Sequence, residues 1–173
     1  MLGTTDIYDN AIRRVQLIEE AVHKTIPNIL VLGDIDNTTL KLPYKTKQTV
    51  IGYSPTNKDK TSDKHEIEWI PLDPVSPSTP LLVNESYEII IDNEKHKPET
   101  HLEMVTNLLK CLSSRGSYII KDLPLQQGRI VINMLRDFAK SNNLSLTFYD
   151  TRILKSSIKN GEHSIQVILT RNE

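Results

Sequence analysis

Titratable side chains collect in two short stretches of the sequence, each directly after an apolar run. Asp92 and His96 follow the run YEIII, and Lys121 and Asp122 follow the run YII. A carboxylate can hold or orient a substrate, and an imidazole titrates near neutral pH and can act as a general base. A lysine ammonium lowers the pKa of a nearby hydroxyl. These four residues are the candidate catalytic groups.

The elements that must position them form a strand, a helix and a second strand. Pro98 suits the first turn of a helix. The helix is predicted from Pro98 to Leu112 because apolar residues recur at three- and four-residue spacing, at Leu102, Val105, Leu108, Leu109 and Leu112. In open α/β sheets ligands bind beyond the carboxyl ends of the strands. The two polar stretches are therefore expected at one ligand-binding edge.

The rest of the chain extends this pattern. Short apolar or alternating runs predict strands over residues 29–32, 49–52, 66–72, 144–149 and 165–169. Helices are predicted over residues 6–25 and 126–140, the second on Ile130, Met134, Leu135 and Phe138. Asn160-Gly161 is a turn signal that makes the last two strands antiparallel. The expectation is an α/β three-layer sandwich with a mostly parallel seven-stranded sheet and an antiparallel terminal strand. It forms one domain over residues 1–173, with an N-terminal helix in 1–26 and a core in 27–173.

Composition narrows the class of protein. The chain has 173 residues, a net charge of −1 and the single cysteine Cys111. No global positive field favours nucleic acid, and no disulfide framework or cysteine-based zinc site is possible. No apolar run approaches the roughly 20 residues of a membrane span. We expect a soluble intracellular protein, cytoplasmic by default, without membrane contact.

The segment from Tyr87 to Asp122 resembles class I S-adenosylmethionine-dependent methyltransferases, particularly the macrocin O-methyltransferase and cephalosporin-hydroxylase-like group. That group has a strand ending in Asp-Asp-Gly-Ser-His, a Pro-Glu pair, a helix, a Gly-Gly turn and a strand ending in Glu-Asp. Here IIIDNEKHKPE and YIIKDL hold those places, and 26 positions separate His96 from Asp122. The resemblance implies a Rossmann-like methyltransferase fold, S-adenosylmethionine as cofactor and methyl transfer to an oxygen, with His96 or Lys121 assisting deprotonation of a small-molecule or RNA acceptor.

The same resemblance implies the cofactor-binding residues, namely Gly33, Asp34, Asn37, Ser54 and Asp73. Gly33 fits the turn that follows the first strand, and Asn37 takes the place of a glycine, since Asn tolerates positive φ. Ser54 stands where the family has an acid for the ribose hydroxyls. Asp73 is expected near the adenine.

The sequence also departs from the family. Val31 replaces the acid of the first strand, and Asn93 and Lys121 replace two carboxylates that magnesium-dependent members use. Magnesium requires hard oxygen ligands. The site is therefore expected to work without a metal. These losses also leave open a degenerate methyltransferase domain that acts as a binding or scaffolding subunit for a partner protein.

Two further alternatives rest on other residue patterns. RNA 2′-O-ribose methyltransferases use a Lys, an Asp, a second Lys and a Glu in chain order, and the matching residues here are Lys24, Asp92, Lys121 and Glu162. The turn DIDNT resembles the first motif of haloacid-dehalogenase-type phosphatases, with Asp34 as nucleophile and Asp36 as acid/base. A simple turn that caps a helix explains those two acids as well.

Overall fold

A computed structural model describes residues 26–33, 45–52, 65–76, 78–79, 86–94, 96–150 and 164–173. Its seven strands are β1 (Asn28–Leu32), β2 (Thr46–Ile51), β3 (His65–Ile70), β4 (Tyr87–Asp92), β5 (Leu112–Pro124), β6 (Leu144–Asp150) and β7 (Ser164–Arg171). Helix α1 is Pro98–Leu108, a 3₁₀ turn follows at Leu109–Cys111, and helix α2 is Leu125–Ser141. Strand, helix and strand alternate as the sequence predicts.

The strands form one sheet in the order β3-β2-β1-β4-β5-β7-β6. Strands β1 to β5 run parallel to one another, whereas β7 runs antiparallel to both β5 and β6. The predicted mostly parallel seven-stranded sheet with an antiparallel terminal strand is therefore confirmed. The turn predicted at Asn160-Gly161 and the helix predicted over residues 6–25 lie outside the described residues.

The core lies on both faces of the central strands, which explains why their sequences are continuous apolar runs. On one face, α1 and α2 pack against the sheet in a cluster that includes Leu30, Ile90, Ile120 and Val105. The opposite face carries a second cluster, centred on Ile29, Val31, Val50, Ile89, Ile91, Ile119 and Ile168. Each such buried aliphatic side chain stabilises the fold by about 1.5–3 kcal/mol.

Helix α1 differs from its prediction in length and in face. It ends at Leu108, and Leu112 is the first residue of β5, where it pairs with Tyr87. The buried positions of the helix are His101, Met104, Val105 and Leu108, while Leu102 and Leu109 are only partly buried. The leucine stripe thus predicted the helix, but its inward face is rotated toward His101.

Helix α2 matches its predicted span within one residue at each end. The prediction that Ile130 belongs to the core is wrong, because Ile130 is 43% exposed. The inward positions are instead Gly128, Val131, Ile132, Leu135 and Ala139. A Cβ at Gly128 would lie 2.8 Å from the Cβ of Ile165, so the missing side chain lets the helix approach β7 closely.

None of the helices that the structure describes is long and apolar enough to cross a membrane.

Candidate functional site

The sheet has a topological switch point between β1 and β4, because β2 and β3 lie on one side of β1 and β4 lies on the other. A crevice at the carboxyl ends of strands at such a point is where open α/β sheets bind ligands. Leu32 is the register partner of Asp92, and the backbone N–H of Asn93 donates to the carbonyl of Leu32 over 3.0 Å. The predicted polar stretch after β4 therefore lies beside the end of β1.

Gly33 forms the floor of this crevice. Its φ of +91° is in the region that favours glycine, and a Cβ there would lie 2.5 Å from Glu94 Oε1. A Cβ on the neighbouring Gly52 would lie 3.1 Å from the carbonyl oxygen of Gly33. We call Gly33, Gly52 and Glu94 the glycine cradle: backbone without side chains, with one carboxylate against it.

The absence of a Cβ at Gly33 lets the Glu94 side chain pack directly on the backbone, and the absence of a Cβ at Gly52 lets the ends of β1 and β2 lie close together. The Glu94 carboxylate is an acceptor for hydroxyl or ammonium groups. Val31 is fully buried in the second apolar cluster, so the first strand offers no acid here. Glu94 is a residue that the sequence did not single out, and only its loop position beside Asp92 hinted at it.

Asp92 ends β4 and is fully buried. Its Oδ1 accepts the backbone N–H of Glu94 over 3.2 Å, and its Oδ2 lies 2.8 Å from Nδ1 of His101. A carboxylate only accepts hydrogen bonds, so Nδ1 of His101 is the donor when Asp92 is ionised. The carboxylate is thus held on both oxygens.

His96 faces the other oxygen of the same carboxylate. Its Nε2 is 3.8 Å from Asp92 Oδ1, its side chain is 12% exposed, and its ring meets the His101 ring edge-on with centroids 5.2 Å apart. Burial lowers the pKa of His96, opposed by the charges of Asp92 and Asp73, while the neighbouring His101 lowers it further. His96 is therefore neutral near pH 7 and has a lone pair that can take a proton.

Tyr118 completes this group from β5. It is fully buried, and burial followed by the charge of Asp92 raises its pKa well above the usual tyrosine value. We call Asp92, His96, His101 and Tyr118 the Asp92 cluster. Among the described residues, three of its buried polar atoms have no hydrogen-bond partner: His96 Nε2, His101 Nε2 and the Tyr118 hydroxyl. Orphaned buried polar atoms are costly, and His96, whose side chain is 12% exposed, is the one of the three that a polar ligand can reach.

Neither His101 nor Tyr118 was among the predicted site residues. The available signal for His101 was its spacing, because it lies three and four residues before Met104 and Val105 on the inward face of α1. A lone histidine on an apolar helix face is ordinarily a packed core residue. Its contact with Asp92 becomes visible only in three dimensions.

Lys121 and Asp122 lie in a bulge of β5. Ile120 pairs with Val167 and Leu123 with Ile165, so two residues of β5 oppose the single residue between those partners in β7. Lys121 is 8% exposed, whereas Asp122 is exposed with a φ of +51°. The structure groups Asp92 with His96, and places Lys121 and Asp122 at the end of the adjacent strand.

Asp73 lies in the turn after β3. Its Oδ1 accepts the N–H of Val75 over 3.0 Å, and its carbonyl accepts the N–H of Ser76 over 2.9 Å. Its charge raises the pKa of His96, so it belongs to the same edge of the sheet. The remaining cofactor-binding residues predicted from the sequence, namely Asp34, Asn37 and Ser54, lie outside the described residues, as do Lys24, Asp36 and Glu162.

Within the described part of the chain, no group of three or more His, Cys, Asp or Glu side chains is placed to hold a metal ion.

Comparison with known proteins identifies the fold. The sequence matches no protein-family model and no curated protein. The structure is similar to the N-methyltransferase NodS from Bradyrhizobium japonicum WM9, with a TM-score of 0.60, 16% identity and 96% of each chain covered. NodS has also been solved with S-adenosyl-l-homocysteine, and that structure matches with a TM-score of 0.60.

Two further methyltransferases match. An rRNA methylase from Streptococcus thermophilus gives a TM-score of 0.59 at 16% identity, with 94% of this chain and 97% of that chain covered. MycE, a methyltransferase of mycinamycin biosynthesis solved with Mg, S-adenosyl-l-homocysteine and mycinamycin VI, gives 0.59 at 11% identity, with 92% and 49% covered. The chain has the class I methyltransferase fold. The fold predicted from the segment between Tyr87 and Asp122 is therefore confirmed.

At these identities the class I methyltransferase fold is what the comparisons establish. The fold places the glycine cradle and the Asp92 cluster side by side at the switch point of the sheet. The chemistry must be argued from those residues.

Proposed function

We propose that the protein is a single-domain S-adenosylmethionine-dependent methyltransferase that methylates an oxygen of a small-molecule or RNA acceptor. The observation that carries the proposal is the glycine cradle at the switch point, directly beside the Asp92 cluster. One supplies a surface that fits the cofactor, and the other supplies a neutral imidazole beside a buried carboxylate. The likeness to methyltransferases solved with S-adenosyl-l-homocysteine supports the choice of cofactor.

The cofactor would lie on the glycine cradle. S-adenosylmethionine supplies, when bound, a methyl group on a sulfonium whose transfer leaves the bonding electron pair on sulfur. Gly33 and Gly52 let the Glu94 side chain lie directly on the backbone at the switch point, and Glu94 offers an acceptor for the hydroxyl or ammonium groups of the cofactor. Asp34, Asn37, Ser54 and Asp73 remain proposed contacts from the loops that border this edge.

The acceptor would lie at the Asp92 cluster, with His96 as the catalytic base. A hydroxyl becomes a better nucleophile as its proton leaves, and His96 Nε2, which has no hydrogen-bond partner among the described residues, can accept that proton. The resulting imidazolium forms next to Asp92 Oδ1, 3.8 Å away in the ligand-free protein. Lys121 and Asp122, at the end of the next strand, remain candidates for contacts to the acceptor. These residues need no metal for the proton transfer.

Calorimetry and thermal unfolding with S-adenosylmethionine and S-adenosyl-l-homocysteine test the cofactor. Binding stabilises the folded state by mass action, by about 2.7 kcal/mol at a ligand concentration of 100 Kd, and therefore raises Tm. Gly33→Val should abolish the shift, because a side chain there collides with Glu94. Ser114→Ala, at an exposed position far along β5 from the site, is the matched control and should retain it. EDTA should leave binding unchanged.

A flat titration at millimolar ligand with folded wild-type protein would contradict the transferase function. It would favour a methyltransferase-fold domain that serves as a binding or scaffolding subunit.

A further inference from the structure

The burial of Asp92 has a cost that the surrounding groups must offset. An ionised carboxylate removed from water is strongly destabilised unless hydrogen-bond donors surround it. Asp92 is fully buried, and its donors in the structure are the Glu94 N–H at 3.2 Å and His101 Nδ1 at 2.8 Å. The His101 bond is the shorter one and comes from a different element, helix α1.

His101 is itself fully buried, and its second ring nitrogen, Nε2, has no hydrogen-bond partner in the part of the chain that the structure describes. A histidine that merely fills the core on the inward face of α1 would be replaceable by leucine. Its Nδ1 is instead aimed at a carboxylate that also faces His96. The three side chains therefore form a triangle, in which each imidazole faces one oxygen of Asp92 and the two ring centroids lie 5.2 Å apart.

We propose that His101 is a positioning residue: by donating Nδ1–H to Asp92 Oδ2 it holds that carboxylate in place, so that Oδ1 can stabilise His96 when His96 takes a proton. That this proton comes from the hydroxyl of a methyl acceptor rests on the proposed transferase function. There, the acceptor oxygen would bond the methyl carbon with one of its electron pairs while the methyl–sulfur bond breaks and leaves its pair on sulfur. The O–H bond would break with its pair kept on oxygen, and the proton would bond to His96 Nε2. Asp92 and His101 exchange no proton.

The groups that face His96 determine the direction of the effect. Asp92 from β4 and Asp73 from the turn after β3 favour its protonated form, and His101 from α1 opposes it when charged. Tyr118 from β5 stays neutral, since its pKa is raised. Without the His101 donor, Asp92 Oδ2 loses its 2.8 Å hydrogen bond and the carboxylate is free to turn. Protonated His96 then loses a fixed negative partner at Oδ1. His96 should then bind its proton less tightly.

An NMR titration of the ligand-free protein tests this. The midpoint of the His96 imidazole is followed between about pH 4 and 9, and its signal is assigned by its absence in His96→Gln, which separates it from the other four of the chain's 5 histidines. Both His101→Leu and His101→Asn remove the His101 charge that lowers the pKa of His96, so the two variants are compared with each other. The His96 midpoint should be lower in His101→Leu by about one pH unit, because the Asn side-chain amide can still donate to Asp92 from nearly the position of Nδ1, whereas Leu cannot.

Equal His96 midpoints in folded His101→Leu and His101→Asn would overturn the inference, as would a higher midpoint in His101→Leu. If His101→Leu does not fold, the ring ¹⁵N shifts of the wild-type protein decide the question. A His101 ring protonated on Nδ1 alone near neutral pH supports the positioning role. A ring protonated on Nε2 alone contradicts it.

This result is separable from the outcome for the transferase function. The titration requires neither cofactor nor acceptor, whereas binding of S-adenosyl-l-homocysteine depends on the glycine cradle. If the His96 midpoint does not distinguish the two His101 variants while S-adenosyl-l-homocysteine still binds, only the positioning role is overturned. Absence of ligand binding with an intact His101 effect would overturn only the transferase.

Discussion

At the scale of single residues, the Asp92 cluster contains buried polar atoms that have no hydrogen-bond partner among the described residues. The Tyr118 hydroxyl is one of them, and it is fully buried. A buried polar group without a partner costs about 1–3 kcal/mol. Tyr118→Phe should therefore raise the free energy of unfolding in urea by about 1 kcal/mol, whereas Tyr149→Phe, at a 38% exposed position, should change it by less than about 0.5 kcal/mol. A loss of stability on Tyr118→Phe would show that the hydroxyl has a bonding partner.

His96 links the same cluster to pH. Its pKa in the folded protein is lowered from 6.5, mainly by burial. Between the lowered value and 6.5, the unfolded chain binds more protons than the folded one, so stability rises with pH. The contribution of His96 is complete above about pH 6.5 and is lost as the pH falls through the folded value. The unfolding free energy of the wild type relative to His96→Gln should therefore increase from pH 5 to pH 7.5, and a flat or decreasing difference would contradict the lowered pKa.

At the scale of elements, the contact between α2 and β7 depends on Gly128. Alanine favours helix over glycine by about 1 kcal/mol, but a Cβ here would lie 2.8 Å from the Cβ of Ile165. Overpacking costs about 1–3 kcal/mol. Gly128→Ala should thus destabilise the protein by about 1 kcal/mol in urea unfolding, while Gln126→Ala, exposed in the same first turn, should be neutral or slightly stabilising. A stabilising Gly128→Ala would mean that α2 can move away from the sheet at little cost.

The helices and strands were predictable where the spacing of apolar residues reflects their burial. The apolar runs of β1 and β4 and the stripes of both described helices follow directly from contact with the core. The end of α1 was missed because Leu112 continues the helical spacing, although it pairs with Tyr87 in the sheet. The face of α1 was misjudged because His101 is polar, and only its bond to Asp92 makes burial favourable.

At the scale of the whole molecule, strand order was accessible from the sequence only through the alternation of elements and the likeness of one segment to methyltransferases. The bulge that places Lys121 and Asp122 depends on register between β5 and β7, two strands distant in sequence. No local pattern determines such a register, because side-chain alternation is interrupted at the bulge itself. The glycine cradle was likewise predicted only in part from the sequence. Gly33 was recognised, whereas Glu94 contacts it only because β1 pairs with β4.

The carboxyl ends and the amino ends of the parallel strands form two opposite edges of the sheet. A bound ligand should protect the amides of only one of them. At the carboxyl edge of β1 and β4, the amide of Gly33 donates to Ile51 and that of Asn93 to Leu32. At the opposite edge, a groove of about 490 Å³ is bordered by Lys110, Arg171 and the end of α2, where the amide of Asn142 donates to Phe138.

Hydrogen exchange with saturating S-adenosyl-l-homocysteine should slow the Gly33 and Asn93 amides by at least about tenfold more than that of Asn142, because the ligand suppresses local opening where it binds. The Gly33→Val protein, which should not bind, supplies the baseline for both edges. Equal slowing at both edges would indicate global stabilisation without a located site, and selective slowing of Asn142 would move the binding site to the amino edge of the sheet. Protection confined to the ends of β1 and β4 would place the ligand at the switch point, where the backbone of Gly33 meets the carboxylate of Glu94.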